Sequence, residues 1–500
     1  MKNILQETPG ETSPAQGEDP RHPQQASRAQ GRRDAIRRVE AHFDSMAFQR
    51  VLAARVAMRT ESQRPESLPL LHRYLTELIV PELEAMGFSY RIIDNPEPGR
   101  SPFLLAERIE GDDVPTVLSY GHGDVVNGYD AQWREGLSPW TLTVEGDRWY
   151  GRGTADNKVQ HSINLAALAQ VRQARGGKLG FNMKILLEMG EEAGSHGLHE
   201  VCRQYRDFLK ADVFISSDGP RLAADEPTVF LGARGGLNFD LRIQLREGAH
   251  HSGNWGGLLS NPGVRLAHAI ASMVDERGRI LVPALLPNCL PDNVRQALRT
   301  IEVGTDADAP AIAPNWGEPG LTPSERVFGW NSFEVITFKT GNPEAPVNAI
   351  PASAYAMCQI RYVVGSDNTN FIAHIRRHLD DHGFDDVAVS QNGTEAMATR
   401  LDPDSPWVHW CMASIDRTVG RPPRLLPNLG GSLPNDAFAD ILGLPTLWIP
   451  HSYPGCAQHA PNEHVLASVT RQALQIMAGV FWDLGEADTP SRRSTVPASP

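Results

Sequence analysis

The run VLSYGHGDVV, residues 117–126, closes an apolar stretch with His122 and Asp124 two residues apart. Side chains at i and i+2 of a strand face the same way, so an imidazole and a carboxylate would leave such a strand together. Similar endings recur along the chain. Asp156 stands in YGRGTADNK, Glu191 and Glu192 follow KILLEMG, and Asp218 follows VFISS. His459 lies in HSYPGCAQHAPNEH, after the apolar PTLWIP. Each has an ordinary explanation by itself: a structural histidine, a solvated Glu pair, an aspartate capping the next helix. Together, at strand ends of one expected sheet, two imidazoles and three carboxylates fit two divalent ions of the Zn2+ kind, with Mn2+ or Co2+ as alternatives. Ions ~3.5–4 Å apart need a shared ligand, and the short carboxylate of Asp156 suits that place.

The elements that would position these groups alternate. Helical spacing runs from about Asp34 to Met58, then through SLPLLHRYLTELIVPELEAMG, with Ser67 as N-cap and Gly87 as the stop. SYRIIDN, PFLLAERIE and PTVLSYGH read as strands, followed by the helix HSINLAALAQVRQARG and the strand FNMKILLEM. A helical GLHEVCRQYRDFLK and the strand ADVFISSD complete an α/β pattern, in which the sheet is covered by helices and ligands gather at carboxyl ends of strands. Near Gly232 the pattern changes to the period-two alternation of a half-exposed antiparallel sheet. A segment rich in Pro and Trp from about 262 to 330 precedes more strands, and the α/β character returns near Ala398. The expected division is a disordered leader, 1–33; a catalytic domain in two parts, 34–232 and 398–485; an inserted α+β domain, 233–397; and a disordered tail, 486–500.

Forty-seven basic against 60 acidic residues leave a formal charge of −13, which argues against nucleic acid or an anionic membrane as partner. No apolar run reaches the length of a membrane span, and the N-terminal stretch lacks the apolar core of a secretory signal. Five scattered cysteines without CxxC spacing suit a reducing, cytoplasmic compartment.

SYGHGDVV, GRGTADNK, EMGEEAGSHGL, SSDGP and HAPNE resemble, in order, five motifs of the M20 metallopeptidases, and most closely the branch of carnosinase-like and cytosolic nonspecific dipeptidases. The resemblance implies a mixed-sheet zinc-peptidase catalytic domain (phosphorylase/hydrolase-like) with an inserted α+β ferredoxin-like lid that also dimerises. It implies that His122 and Asp218 hold one ion, Glu192 and His459 the other, that Asp156 bridges them, and that the Asp156–Asn157 peptide bond is cis. Asp124 would accept a hydrogen bond from His122 and fix that ring. Glu191 would be the general base acting on a water shared by the ions. GAHHSGNWGG resembles the dimerisation-domain motif and places His251, rather than the adjacent His250, where a lid histidine stabilises the oxyanion, in dimeric relatives across the dimer. NAIPASAYAMCQIR places Asn348, where Thr is common, and Arg361 at substrate-binding positions, with Arg361 clamping a carboxylate. NLGGSLPNDAF resembles a glycine-rich turn beside that carboxylate, with Gly430 and Gly431 offering amides and Ser432 a hydroxyl. The implied reaction is hydrolysis of a dipeptide or short-peptide amide, with N-acyl amino acid deacylation by the same site as the alternative.

Overall fold

Apolar runs without polar alternation build the central sheet. Strands Thr116–His122 and Asn182–Glu188 are buried along nearly their whole length, as strands covered on both faces must be. In this computed structural model, which describes residues 22–304, 310–486 and 488–490, the sheet has eight strands. Their order is Ser89–Ile93, Phe103–Arg108, Asn182–Glu188, Thr116–His122, Val213–Ser216, Thr446–Trp448, Thr228–Phe230 and Arg424–Leu426. The middle is parallel: Thr116–His122 pairs with both Asn182–Glu188 and Val213–Ser216, and Thr446–Trp448 with Val213–Ser216. The first two strands run antiparallel, which makes the sheet mixed.

One face of the sheet is covered by helices His22–Asp44, Lys158–Ala174 and Ala467–Leu484, which bury Val39, Ile163, Leu168, Leu474 and Phe481. The first helix starts at His22, earlier than the Asp34 expected from sequence. The polar residues before Asp34 are weak helix formers, but tertiary contacts anchor the helix at Arg32. Arg32 Nε lies 3.0 Å from Asp483 Oδ1, and Nη2 donates to the Ser414 carbonyl at 2.9 Å and to Thr418 Oγ1 at 2.7 Å. The rest of the expected leader, 1–21, and residues 491–500 of the expected tail lie outside the described residues. Gly87 closes its helix in the left-handed region, φ 80°, as expected, whereas Ser67 makes no capping bond and ends a short 3-10 turn, Pro65–Ser67.

The other face packs Tyr120, Phe214, Phe438 and Trp448. Here the structure departs from the expected division. Residues 290–328 were assigned to the inserted domain, yet Leu290, Val294, Leu298, Ile301 and Phe328 bury themselves in this same cluster. The described parts of the segment, 290–304 and 310–328, serve as a covering layer for the catalytic sheet. Its apolar positions needed a face to bury, and the free face of the large sheet supplied it.

The lid proper is an antiparallel sheet in the order Ser332–Thr340, Ser353–Tyr362, Gly235–Gln244, Ala388–Gln391. Helices Pro262–Met273 and Phe371–Asp381 bury one face of it on Leu237, Phe239, Cys358 and Ile360. The chain order is β-α-β-β-α-β. Among the described residues no helix is long and apolar enough to cross a membrane.

Candidate metal centre

Three carboxyl ends of neighbouring strands converge. His122 is the last residue of Thr116–His122, Glu191 opens the 3-10 turn Glu191–Ala193 after Asn182–Glu188, and Asp218 follows Val213–Ser216. His459 arrives on the loop after Thr446–Trp448, with φ 61°. Asp156 does not end a strand of this sheet. It sits between Arg148–Tyr150, a strand of a separate three-stranded sheet, and helix Lys158–Ala174. The Asp156–Asn157 peptide bond is cis.

The side chains form two triads that share Asp156: His122, Asp156 and Asp218, and Asp156, Glu192 and His459. Within each, one ligand atom per residue lies within 4.8 Å of the others. Asp156 divides its oxygens between them. Oδ1 is 2.9 Å from His122 Nε2, and Oδ2 is 2.9 Å from His459 Nε2. Asp218 Oδ2 is 3.7 Å from His122 Nε2, and Glu192 Oε2 is 3.1 Å from His459 Nε2. Gln458 Nε2 also donates to Asp156 Oδ2. Glu191 belongs to neither triad; its Oε2 stands 4.0 Å from His122 Nε2.

Asp124 is fully buried and does more than expected. Its Oδ1 lies 3.4 Å from His122 Nδ1, with its own carbonyl oxygen closer, at 3.2 Å. The carboxylate accepts from the backbone amides of Glu191, at 3.2 Å, and Glu192, at 3.0 Å. It therefore ties the His122 strand end to the turn carrying both glutamates.

The electrostatics are those of a site built for cations. Burial pushes Glu192 up to about 7 and Asp218 up to about 6, with the charge of Asp156 adding to both. Burial also lifts Glu191 well above the usual carboxylate range. Asp156, although buried, is held low by the two imidazoles. Among the described residues Glu192 Oε1 and Asp218 Oδ2 are buried without a hydrogen-bond partner. Buried polar atoms are ordinarily satisfied, so two orphaned carboxylate oxygens, one in each triad, fit a divalent ion in each. Nitrogen and oxygen donors together suit borderline ions.

Glu463, overlooked in the sequence reading, organises the Asp156 loop. Its Oε1 accepts from the amides of Gly153, Ala155 and Asp156, at 3.1, 2.8 and 3.1 Å. Its Oε2 is 2.8 Å from Arg152 Nη1, with both side chains 1% exposed. The available signal was a glutamate four residues after His459 and an arginine four before Asp156, oppositely charged neighbours of two candidate site residues.

The remaining candidates fall into two groups. Arg361 Nη1 donates to Ser432 Oγ at 2.7 Å, so these two meet, beside the exposed Gly431. His251 and Asn348 meet elsewhere. Strand pairing sets His251 opposite Ala349, and the Asn348 carbonyl accepts from Ser252 N at 2.9 Å. His251 is exposed, and its Nδ1 accepts from its own turn, Gly253 N, at 3.1 Å. Among the described residues it forms no ion pair with the carboxylate cluster. A cavity of about 510 Å³ runs from Glu191 past Ser195 and His199 to Ser432 and Asp436.

Comparison with known proteins agrees with this geometry. The model of peptidase family M20/M25/M40 matches residues 118–483. The Beta-Ala-His dipeptidase of Rattus norvegicus is 25% identical over 493 residues, covering 90% of this chain and 94% of that protein. The cysteinylglycine-S-conjugate dipeptidase of Corynebacterium striatum is 27% identical over 389 residues, covering 74% and 81%. The structure of an M20 family metallo-carboxypeptidase from Sulfolobus solfataricus shares the fold, with a TM-score of 0.73 at 23% identity, covering 88% of this chain and 99% of that one.

Proposed function

Because this chain belongs to peptidase family M20/M25/M40, we propose that it is a two-metal dipeptidase hydrolysing the amide bond of a dipeptide or short peptide. The observation that carries this is the pair of triads sharing Asp156, beside a buried carboxylate, Glu191, that belongs to neither. His122, Asp156 and Asp218 would hold one ion, and Asp156, Glu192 and His459 the other, with Zn2+ proposed and Mn2+ or Co2+ as substitutes. Bound there, the ions supply positive charge that polarises the scissile carbonyl and acidifies water.

The protein's own groups do the rest. Glu191 takes the proton of the attacking water and returns it to the leaving nitrogen; its raised proton affinity, set by burial, suits that exchange. Asp124 fixes where Glu191 and Glu192 stand by binding both amides. Arg361, positioned by Ser432 and by Gln359 Oε1 at 3.0 Å, pairs with the substrate's C-terminal carboxylate. The Gly430–Gly431 backbone closes on that same group.

His251 and Asn348, whose contacts lie within the lid, are proposed to act across a homodimer formed through the lid. The edge strand Ser332–Thr340 supports it. Val335, Ile336 and Phe338 are 43%, 48% and 44% exposed there, and Leu258 and Val347 are exposed on the loops beside His251 and Asn348. Apolar edge strands of this kind invite a partner. A cytoplasmic setting is proposed from five free thiols, of which Cys289 is exposed and the other four are buried.

The test is a substrate panel read by mass spectrometry, using protein stripped and reloaded with Zn2+, Mn2+ or Co2+. Cleavage of dipeptides with a free amine and a free carboxylate is expected. Cleavage confined to N-acetyl or N-succinyl amino acids would make the protein a deacylase instead.

A further inference from the structure

The lid sheet has one face under its helices and another that is polar. On the polar face, strand pairing sets Arg361 opposite Gly236 and Gln359 opposite Asn238. Arg234 precedes Gly236 by two residues, which puts it on the same face, diagonal to Arg361. Contacts agree with that placement. Arg234 Nε donates to the Gly430 carbonyl at 2.9 Å, Arg361 Nη1 donates to Ser432 Oγ at 2.7 Å, and Ser432 Oγ donates to the Arg234 carbonyl at 2.9 Å. Both guanidinium groups thus meet one turn, residues 430–432. Glycine at 236 leaves room beside Arg361 and Ser432: a Cβ there would lie 3.1 Å from Arg361 Nη1 and 3.4 Å from Ser432 Oγ.

Arg234 is only 9% exposed. Burial and the charge of Arg361 push it down to about 10, and burial lowers Arg361 as well. Buried cations are ordinarily paired, yet among the described residues neither arginine forms an ion pair. Arg234 spends one of its five N–H groups on a carbonyl and has no other acceptor among the described residues. Glu334 shares the face, opposite Gln359. Burial raises its carboxyl while the charge of Arg234 lowers it, so the two groups feel each other without forming an ion pair among the described residues. Two adjacent guanidinium groups, without an ion pair among the described residues, meet the turn whose Ser432 lines the same cavity as Glu191, and they call for a ligand with two negative charges.

We propose that Arg234 forms a second carboxylate position beside Arg361, so that the site favours dipeptides ending in aspartate or glutamate. Arg361 and Ser432 take the main-chain carboxylate, and Arg234 takes the side-chain carboxylate. The inference rests on the dipeptidase reading and narrows it.

The experiment compares kcat/KM for Ala–Glu with Ala–Gln, and Ala–Asp with Ala–Asn, on the full-length, metal-loaded protein. The acidic member should be favoured by about tenfold or more, the worth of one charge-assisted pair. Arg234→Gln should collapse that ratio, and Arg234→Lys should retain part of it. Equal rates for acid and amide, or equal losses on both in the variants, would overturn the proposal and mark Arg234 as structural. Calorimetric binding of L-glutamate and L-glutamine to the wild-type protein gives a readout free of turnover and of any folding defect in a variant. Tighter binding of glutamate, without cleavage of any dipeptide, would keep this site and remove the peptidase reading. Equal binding of the two, with all four dipeptides cleaved alike, would do the reverse.

Discussion

Replacing Glu463 by glutamine tests how Asp156, the residue shared by both triads, is held. Glutamine keeps one carbonyl oxygen for the amides of Gly153, Ala155 and Asp156, but it turns an NH2 towards Arg152 Nη1, donor against donor. Among the described residues Arg152 Nε and Nη2 are buried without a hydrogen-bond partner, so no neighbouring acceptor takes over from the lost carboxylate. Removing one member of a buried ion pair costs about 3–5 kcal/mol, because the other charge stays buried and uncompensated. The three amide bonds also change from charge-assisted to neutral acceptance, which weakens each of them. The loop that loosens is the one presenting Asp156, so metal affinity should fall about 10–100-fold, as when outer supports of metal ligands are lost. Chemical denaturation of the metal-free protein reads the first quantity, and competition with a chromophoric chelator reads the second. A loss of stability under about 1 kcal/mol, with both ions held as tightly as before, would refute the reasoning.

Other outcomes follow from the same geometry. Asp156→Asn should empty at least one ion site by elemental analysis, because only Asp156 serves both triads; two ions per chain in the variant would end the bridging assignment. Mixed dimers of His251→Ala and Glu191→Gln chains should recover activity that neither variant shows alone, if the lid histidine serves the neighbouring chain; no recovery would place the whole site within one chain. Glu188, fully buried, accepts from Tyr120 Oη at 2.7 Å and Ser195 Oγ at 3.0 Å, and burial pushes its carboxyl up to about 7. Its folded-state affinity for a proton exceeds that of the unfolded chain. Its contribution is therefore whole below about pH 4.5 and lost as pH rises towards 7. Glu188→Gln should be more stable than wild type at pH 8, by at most about 3 kcal/mol in the metal-free protein, and the advantage should shrink by pH 5. A constant difference across that range would contradict the shift.

Much of the candidate centre was legible because its residues punctuate apolar strands. His122, Glu192 and Asp218 each follow a run that has to be a buried strand, and period two with buried parallel pairing fixes where such a run ends. Asp156 was visible as a residue but not as a position. The three-residue strand before it is too short to announce a second sheet, and the cis bond after it came from resemblance, not from spacing. Glu463 left little trace, since its role lies in accepting backbone amides across more than 300 residues of chain. The segment 290–328 was misplaced for a related reason. Its apolar residues announce that something is buried, but not which of two sheets buries it. The opening helix was set too short because its composition argues against order, and the contacts of Arg32 that override composition lie at the far end of the sequence.

The two triads differ in when they can exist. His122, Asp156 and Asp218 are all in the growing chain once residue 218 has been made, before the lid begins. The other triad waits for His459, and so does the Glu463 support of the Asp156 loop. The contact between Asp156 and His459 spans 303 residues, and it closes only after the whole lid has been made and its chain returned to the catalytic sheet, at a loop-closure cost that grows only slowly with length. Assembly of the centre is therefore ordered by synthesis. A chain that stops anywhere in the lid carries the residues of the first triad and lacks His459 of the second.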